Sequence, residues 1–235
     1  MTSIIPETIK AANPKPSENL NIPGYSLKDD LSLTLKRGDK LSIASACFSI
    51  YGYQALKEQL NQIDELRFIF TSPAFLKERA PKEKREFYIP RLDRERALYG
   101  TEFEVKLRNE LTQKAIAREC ADWIRKKVQF RSNLTGRNIT KSFNIVSDEN
   151  VTYTPIERFT TSDLGVEAGD NLSNIITKHY APLSDNFLQD FERIWSNPDL
   201  VEDVTEQVID RDISSKWICR HRSRRSRRAP SRDGP

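Results

Sequence analysis

The stretch from Lys40 to Thr71 constrains the fold more than any other part of the chain. Lys40-Leu-Ser-Ile-Ala-Ser-Ala-Cys-Phe48 reads as a buried strand. Gly52-Tyr-Gln-Ala-Leu-Lys-Glu-Gln-Leu-Asn-Gln-Ile63 follows with apolar residues at helical spacing, and Leu66-Arg-Phe-Ile-Phe-Thr71 is rich in β-forming residues. Strand, helix and strand in that order make a β-α-β unit, whose two strands lie parallel because the helix carries the chain back across the sheet. An α/β fold follows, with a mixed sheet covered by helices on both faces. With 235 residues, of which 37% are hydrophobic, the chain can bury one sizeable core.

The remaining elements are read outward from this unit. Residues 1–23 hold Pro6, Pro14, Pro16 and Pro23 with no apolar period, and are expected to form an extended leader. A helix or turn near Leu27–Lys36 ends at Gly38. Residues 77–96, with Phe87, Tyr88 and Pro90 among many charges, read as a solvated connector, or alternatively as a nucleic-acid or partner surface. Thr101 and Glu104 have capping-box spacing, and Phe103, Leu107, Leu111, Ile116, Cys120, Trp123 and Ile124 recur at three to five residues. The helix over 101–128 is expected to be the most buried element. Glu102, Glu104, Glu110, Glu119 and Asp122 then form its solvated face. Val128–Arg131, Lys141–Val146 and Val151–Thr154 are short strands, the last two joined as a hairpin by Asp148-Glu-Asn150. Ser184 is expected to cap a helix bearing Phe187, Leu188, Phe191, Ile194 and Trp195, and Asn197-Pro198 to open another. The domain is placed at residues 24–209.

Charge is unevenly distributed. Residues 211–235 carry eight Arg and one Lys against two Asp, so the first 210 residues hold 29 of the 38 basic groups and all but two of the 34 acidic ones. The folded part is therefore slightly acidic, and the basic excess sits in the tail at 210–235, which reads as disordered. Arg220-His-Arg-Ser-Arg-Arg-Ser-Arg-Arg228 would bind any polyanion without reading sequence. Its abrupt onset favours a frameshift or an aberrant end of the reading frame over a selected basic tail.

Several chemistries find no support. None of the eight glycines precedes a lysine, so the chain has no phosphate-cradling loop of a nucleotide motor. His179 and His221 are the two imidazoles and lack neighbours at metal-ligand spacing, so they are read as a loop histidine and a tail histidine; no metal and no cofactor is expected. Cys47, Cys120 and Cys219 are widely spaced, which points to buried or incidental thiols. The longest apolar run, Ile43–Phe48, is far shorter than the ~20 residues of a membrane helix, and no signal pattern opens the chain, so a cytoplasmic location without membrane attachment is expected.

The order of elements resembles one half of the phospholipase D superfamily. Ala44-Ser-Ala-Cys-Phe48-Ser-Ile-Tyr-Gly52 looks like its opening strand and aromatic turn, and Ser142-Phe-Asn-Ile-Val-Ser-Asp148 with Pro155-Ile-Glu-Arg158-Phe-Thr looks like its signature region. That signature is H-x-K-x-x-x-x-D followed by G-S-x-N. With Asp148 at the Asp position, Lys141 stands in the His slot, Phe143 in the Lys slot, and Pro155, Ile156, Glu157 and Arg158 in the G-S-x-N slots. Neither a lysine nor a phenyl ring supplies the covalent nucleophile and phosphate ligand at those places, so no catalytic residue is carried over. A closer resemblance over about residues 40–208, strongest in Glu86–Glu104 and Leu107–Ile124, is to the phospholipase-D-like N-terminal region of bacterial DEAD/DEAH-box helicases of the Swi/Snf type. It implies a severed accessory domain, catalytically inert, that holds nucleic acid or a protein partner, such as a helicase motor domain. Lys141 and Arg158, at the vacated slots, are the expected nucleic-acid contacts. A divergent nuclease or phosphodiesterase and a purely structural docking module are the alternatives.

Overall fold

The computed structural model describes residues 15–20, 24–72, 110–167 and 175–209. Ser26 opens the first helix, α1 (Leu27–Thr34), through a capping box: its hydroxyl accepts from the Asp29 amide, and the Asp29 carboxylate accepts from the Ser26 amide. The chain then turns at Gly38, whose φ of 91° lies in the left-handed region that suits glycine, into β2 (Lys40–Ser45). Two short helices follow, α2 (Ile50–Ala55) and α3 (Lys57–Gln62), and then β3 (Glu65–Phe70). The single helix expected over 52–63 is thus broken at Leu56, whose φ and ψ of −111° and 15° leave the helical region and whose side chain is fully buried. Strands β2 and β3 pair in parallel, as the β-α-β reading requires.

The third described segment opens with α4 (Glu110–Lys127), which leads into β4 (Val128–Asn133), then β5 (Ser142–Val146) and β6 (Val151–Thr154), the last two forming the expected antiparallel hairpin. The last segment contains β7 (Thr177–His179), α5 (Leu183–Trp195), β8 (Val201–Asp203) and the one-turn α6 (Thr205–Gln207). The strands make one eight-stranded mixed sheet in the order β1-β7-β6-β5-β2-β3-β4-β8, where β1 is Glu18–Asn19. The chain is an α/β protein. Strands β2, β3 and β4 are parallel, and every other pairing is antiparallel.

Alternation along the strands assigns the two faces. Leu41, Ile43, Leu66, Phe68, Phe70, Phe130, Phe143, Ile145 and Tyr153 point into the main core with α1, α2, α3 and α4, where Phe48, Phe68, Phe70 and Phe130 pack with ring centroids 4.9–5.6 Å apart. The other face is more polar. Hydrogen-bonding register aligns Gln129, Arg67, Ser42, Asn144, Thr152 and His179 in one row across six strands. Its members bond to one another: Arg67 donates to the Ser42 hydroxyl at 2.9 Å, and Thr152 donates to the Asn144 carboxamide oxygen at 2.8 Å. Helix α5 covers this face with a small apolar patch of Phe191, Ile194 and Trp195 on Ala44, Ile69 and Val201. Two arginines fasten it as well. Arg67 grips Glu192 with both terminal nitrogens, and Arg131 lies 4.4 Å from the Trp195 ring while donating to the Trp195 carbonyl at the helix's C-terminal end.

Four expectations are corrected. Residues 15–20, read as part of an extended leader, are extended but not detached, since Glu18 and Asn19 pair with Lys178 and Thr177 at the sheet edge. Over its described part the long helix is not the most buried element: in α4 one stripe of Ile116, Ala117, Cys120, Ala121, Trp123 and Ile124 is buried, whereas β2 is buried continuously from Leu41 to Ser45. A central strand has neighbours on both edges and layers on both faces, while a surface helix buries one side. Ser184 lies inside α5 with its hydroxyl buried, and the N-cap position belongs to Pro182. Asn197-Pro198 opens a turn instead of a helix, because the chain must reverse within a few residues to pair Val201 with Asn133. The capping pair Thr101 and Glu104, the segment 77–96 and the tail at 210–235 lie outside the described residues.

Candidate nucleic-acid interface

The two residues singled out from the sequence lie on segments bonded beside the carboxyl end of β2. Beyond Ser45 the chain is laced to residues 156–159: the Ser45 hydroxyl donates to the carbonyls of Ile156 and Glu157 at 3.1 and 3.0 Å, and the Ala46 amide donates to Glu157 at 3.0 Å. Two further bonds, Phe159 N–H to Cys47 O at 2.8 Å and Ser49 N–H to Phe159 O at 3.0 Å, complete the seam. Gly52 is required beside it, since a Cβ there would stand 2.7 Å from the Phe159 carbonyl oxygen. In open α/β sheets, ligands bind beyond the carboxyl ends of the parallel strands.

Lys141 lies just before β5, with its carbonyl accepting from the Ile156 amide at 3.4 Å. Its ammonium pairs with the Glu157 carboxylate, and both side chains are partly exposed, at 32% and 49%. Arg158 is held differently. Its Nε donates to Asp163 Oδ2 at 3.2 Å, and that same oxygen accepts from the Thr160 hydroxyl at 3.1 Å. The Asp163 side chain is 4% exposed against 31% for Arg158. Burial pushes the Asp163 carboxyl above its ordinary range, opposed by the Arg158 charge and by hydrogen bonds from Arg158 and Thr160. Anchoring through Nε leaves the two Nη nitrogens of Arg158 without a hydrogen-bond partner among the described residues. A guanidinium so oriented presents the fork that takes two oxygens of one phosphate.

The other positions aligned with that signature lie elsewhere. Phe143 is fully buried, with its ring 6.1 Å from Tyr153 and 6.3 Å from Phe159. Ile156 is buried as well. Asp148 is exposed in the β5–β6 turn, at the opposite end of β5 from Lys141, roughly 20 Å away at strand rise. Among the described residues no group of three or more His, Cys, Asp or Glu could hold a metal ion. Asp163 also lines an open cleft of about 500 Å³, together with Tyr25, Lys28, Asp29 and Ser162.

Two polar features escape a reading of the sequence. His179 is not a loop residue: it stands in β7, with Nδ1 3.0 Å from the Ser17 hydroxyl and Nε2 2.7 Å from the Thr154 hydroxyl, and burial lowers its pKa. Its partners are hydroxyls, so it lacks the carboxylate that would orient a catalytic base. The second is a buried ionic knot in which Asp30 accepts from Lys178, Tyr153 and Tyr25 at 2.9, 2.6 and 2.8 Å. It ties α1 to β6 and β7. Burial opposes ionisation of Asp30, but the hydrogen bonds from Tyr153, Lys178 and Tyr25 outweigh it and leave its pKa lowered. The same contact, with burial, pushes the Tyr25 hydroxyl up to about 12. Only Asp30 falling on the inner side of α1 hints at this in the sequence, since Lys178 is 148 residues away.

Among the described residues no helix is long and apolar enough to cross a membrane. A comparison with protein-family models and with curated proteins finds no match to this chain.

Proposed function

We propose that the chain is a non-catalytic, phospholipase-D-like accessory domain that holds nucleic acid through its phosphates at the carboxyl end of β2, beside a helicase motor or another protein partner. The observation that carries this reading is the Arg158 guanidinium, which is partly exposed, held through Nε by a buried carboxylate, and without a hydrogen-bond partner for its Nη nitrogens among the described residues. Lys141 supplies a second cation on the neighbouring segment. The inert character follows from the ring of Phe143, which occupies the core where a phosphate-binding ammonium would be needed, and from the absence of an imidazole at position 141.

The test is DNA binding by the full-length chain, with the arginines of the 220–228 segment changed to serine so that the tail does not mask the domain. Single strands and duplexes are titrated over a range of salt concentrations. Binding is expected to weaken with salt, and Arg158→Ala is expected to lower affinity several-fold and to reduce the log–log salt slope by roughly 0.7–0.9. Binding no greater than that of an unrelated acidic protein, at every salt concentration, refutes the proposal.

A further inference from the structure

Lys141 and Arg158 are both paired with carboxylates, yet the two pairs differ in a way that matters for any phosphate arriving there. Asp163 is buried and also accepts from the Thr160 hydroxyl, so its bond to Arg158 Nε is shielded from solvent, and it does not occupy the Nη nitrogens. Glu157 takes the Lys141 ammonium itself, the only charged group that residue can offer, and does so half in solvent. Its main chain cannot move away, because the Glu157 carbonyl is bonded by Ala46 N–H and by the Ser45 hydroxyl. The Lys141 carbonyl is likewise tied to Ile156. The carboxylate is therefore tethered beside the ammonium at high effective concentration, while its exposure makes the pair weak enough to exchange. A carboxylate and a phosphate offer an ammonium the same kind of charged oxygen acceptor.

We infer that Glu157 is a built-in competitor for phosphate at Lys141, so that a polyanion gains this contact only by replacing one carboxylate with one phosphate. The inference rests on the nucleic-acid reading above and adds its regulation: Arg158 is a standing contact and Lys141 a conditional one. Anything that neutralises or displaces Glu157, including a cationic partner surface docking on it, releases a second cation to the nucleic acid.

The experiment uses the same full-length, tail-neutralised chain with a 20-nucleotide single strand and the matching duplex. Glu157→Gln keeps the shape of the side chain and removes its charge. Affinity is expected to rise about 2–5-fold, the range set by a weak exposed ion pair. The salt slope is expected to steepen by roughly 0.7–0.9, one additional phosphate contact. In the Glu157→Gln/Lys141→Ala double variant both gains are expected to vanish. An unchanged slope in Glu157→Gln, or a gain that survives loss of Lys141, overturns the competitor role while leaving the binding function to stand on Arg158→Ala. Absence of salt-dependent binding in the parent chain and in Glu157→Gln alike removes the function and this inference together.

Discussion

Replacing Lys178 by methionine probes the contact on which the docking of α1 depends. The Asp30 and Lys178 side chains are each 10% exposed, and Lys178 Nζ lies 2.9 Å from Asp30 and 3.1 Å from the Thr34 hydroxyl. Methionine fills most of the same volume and keeps the contact with the Tyr153 and Tyr180 rings, which the ammonium now meets at 5.6 and 5.7 Å. What it removes is the charge opposite a carboxylate that stays buried. Breaking a buried pair from one side costs about 3–5 kcal/mol, and the Tyr25 and Tyr153 hydroxyls, which still donate to Asp30, set the expectation at the lower part of that range. Against a total stability of about 5–15 kcal/mol the loss is large, and it corresponds to a melting-temperature drop of roughly 6–20 °C for a domain of this size. Equilibrium urea unfolding followed by tryptophan fluorescence measures it. The Asp30→Asn/Lys178→Met double variant, which leaves no unpaired charge, is expected to recover a substantial part of the loss. Lowering the pH adds a second signature. Because the folded-state pKa of Asp30 is depressed, its ionised form stabilises the fold above the unfolded value of 3.8, and that contribution is lost as pH falls through the lower folded value. The gap between the wild type and Lys178→Met is therefore expected to close in that acidic range. A loss below about 1 kcal/mol at neutral pH, or strictly additive effects in the double variant, would refute the coupling.

Three further outcomes follow from other parts of the fold. Phe143→Lys is expected to prevent stable folding instead of creating a phosphate site, since the side chain is fully buried among rings; circular dichroism and thermal melting check this. Gly52→Ala is expected to cost about 1–3 kcal/mol in chemical denaturation, because the added methyl meets a backbone carbonyl 2.7 Å away and the seam between residues 45–49 and 156–159 must shift. His179 has a folded-state pKa lowered by burial, so its neutral form stabilises the fold above the unfolded value of 6.5 and that contribution fades as pH falls through the folded value; His179→Gln is expected to abolish this slope in pH-dependent unfolding.

Much of the scaffold was legible in the sequence because it depends on local patterning. The apolar runs at 41–48 and 66–70 around a helical stretch required a parallel pair, and the alternation in 142–154 around a short polar turn required a hairpin. Asn197-Pro198 misled because a helix-opening dipeptide is a local preference, while the pairing of Val201 with Asn133 is a demand from across the sheet. The pairing of β1 escaped notice for a related reason: an edge strand is bonded through its backbone, so Glu18 and Asn19 need no pattern in their side chains.

Sequence by itself determined the α/β class, the β-α-β unit and the hairpin, all of which are written in residue type and spacing. Tertiary structure alone decided which charge meets which. Glu157 reaches Lys141, Asp163 anchors Arg158, and Asp30 meets Lys178 through folded contacts that no periodicity encodes. The physical reason is one of range. Hydrophobic alternation acts over neighbouring residues and survives in one dimension, whereas an ion pair is defined by a few ångströms between groups that the folded backbone brings together.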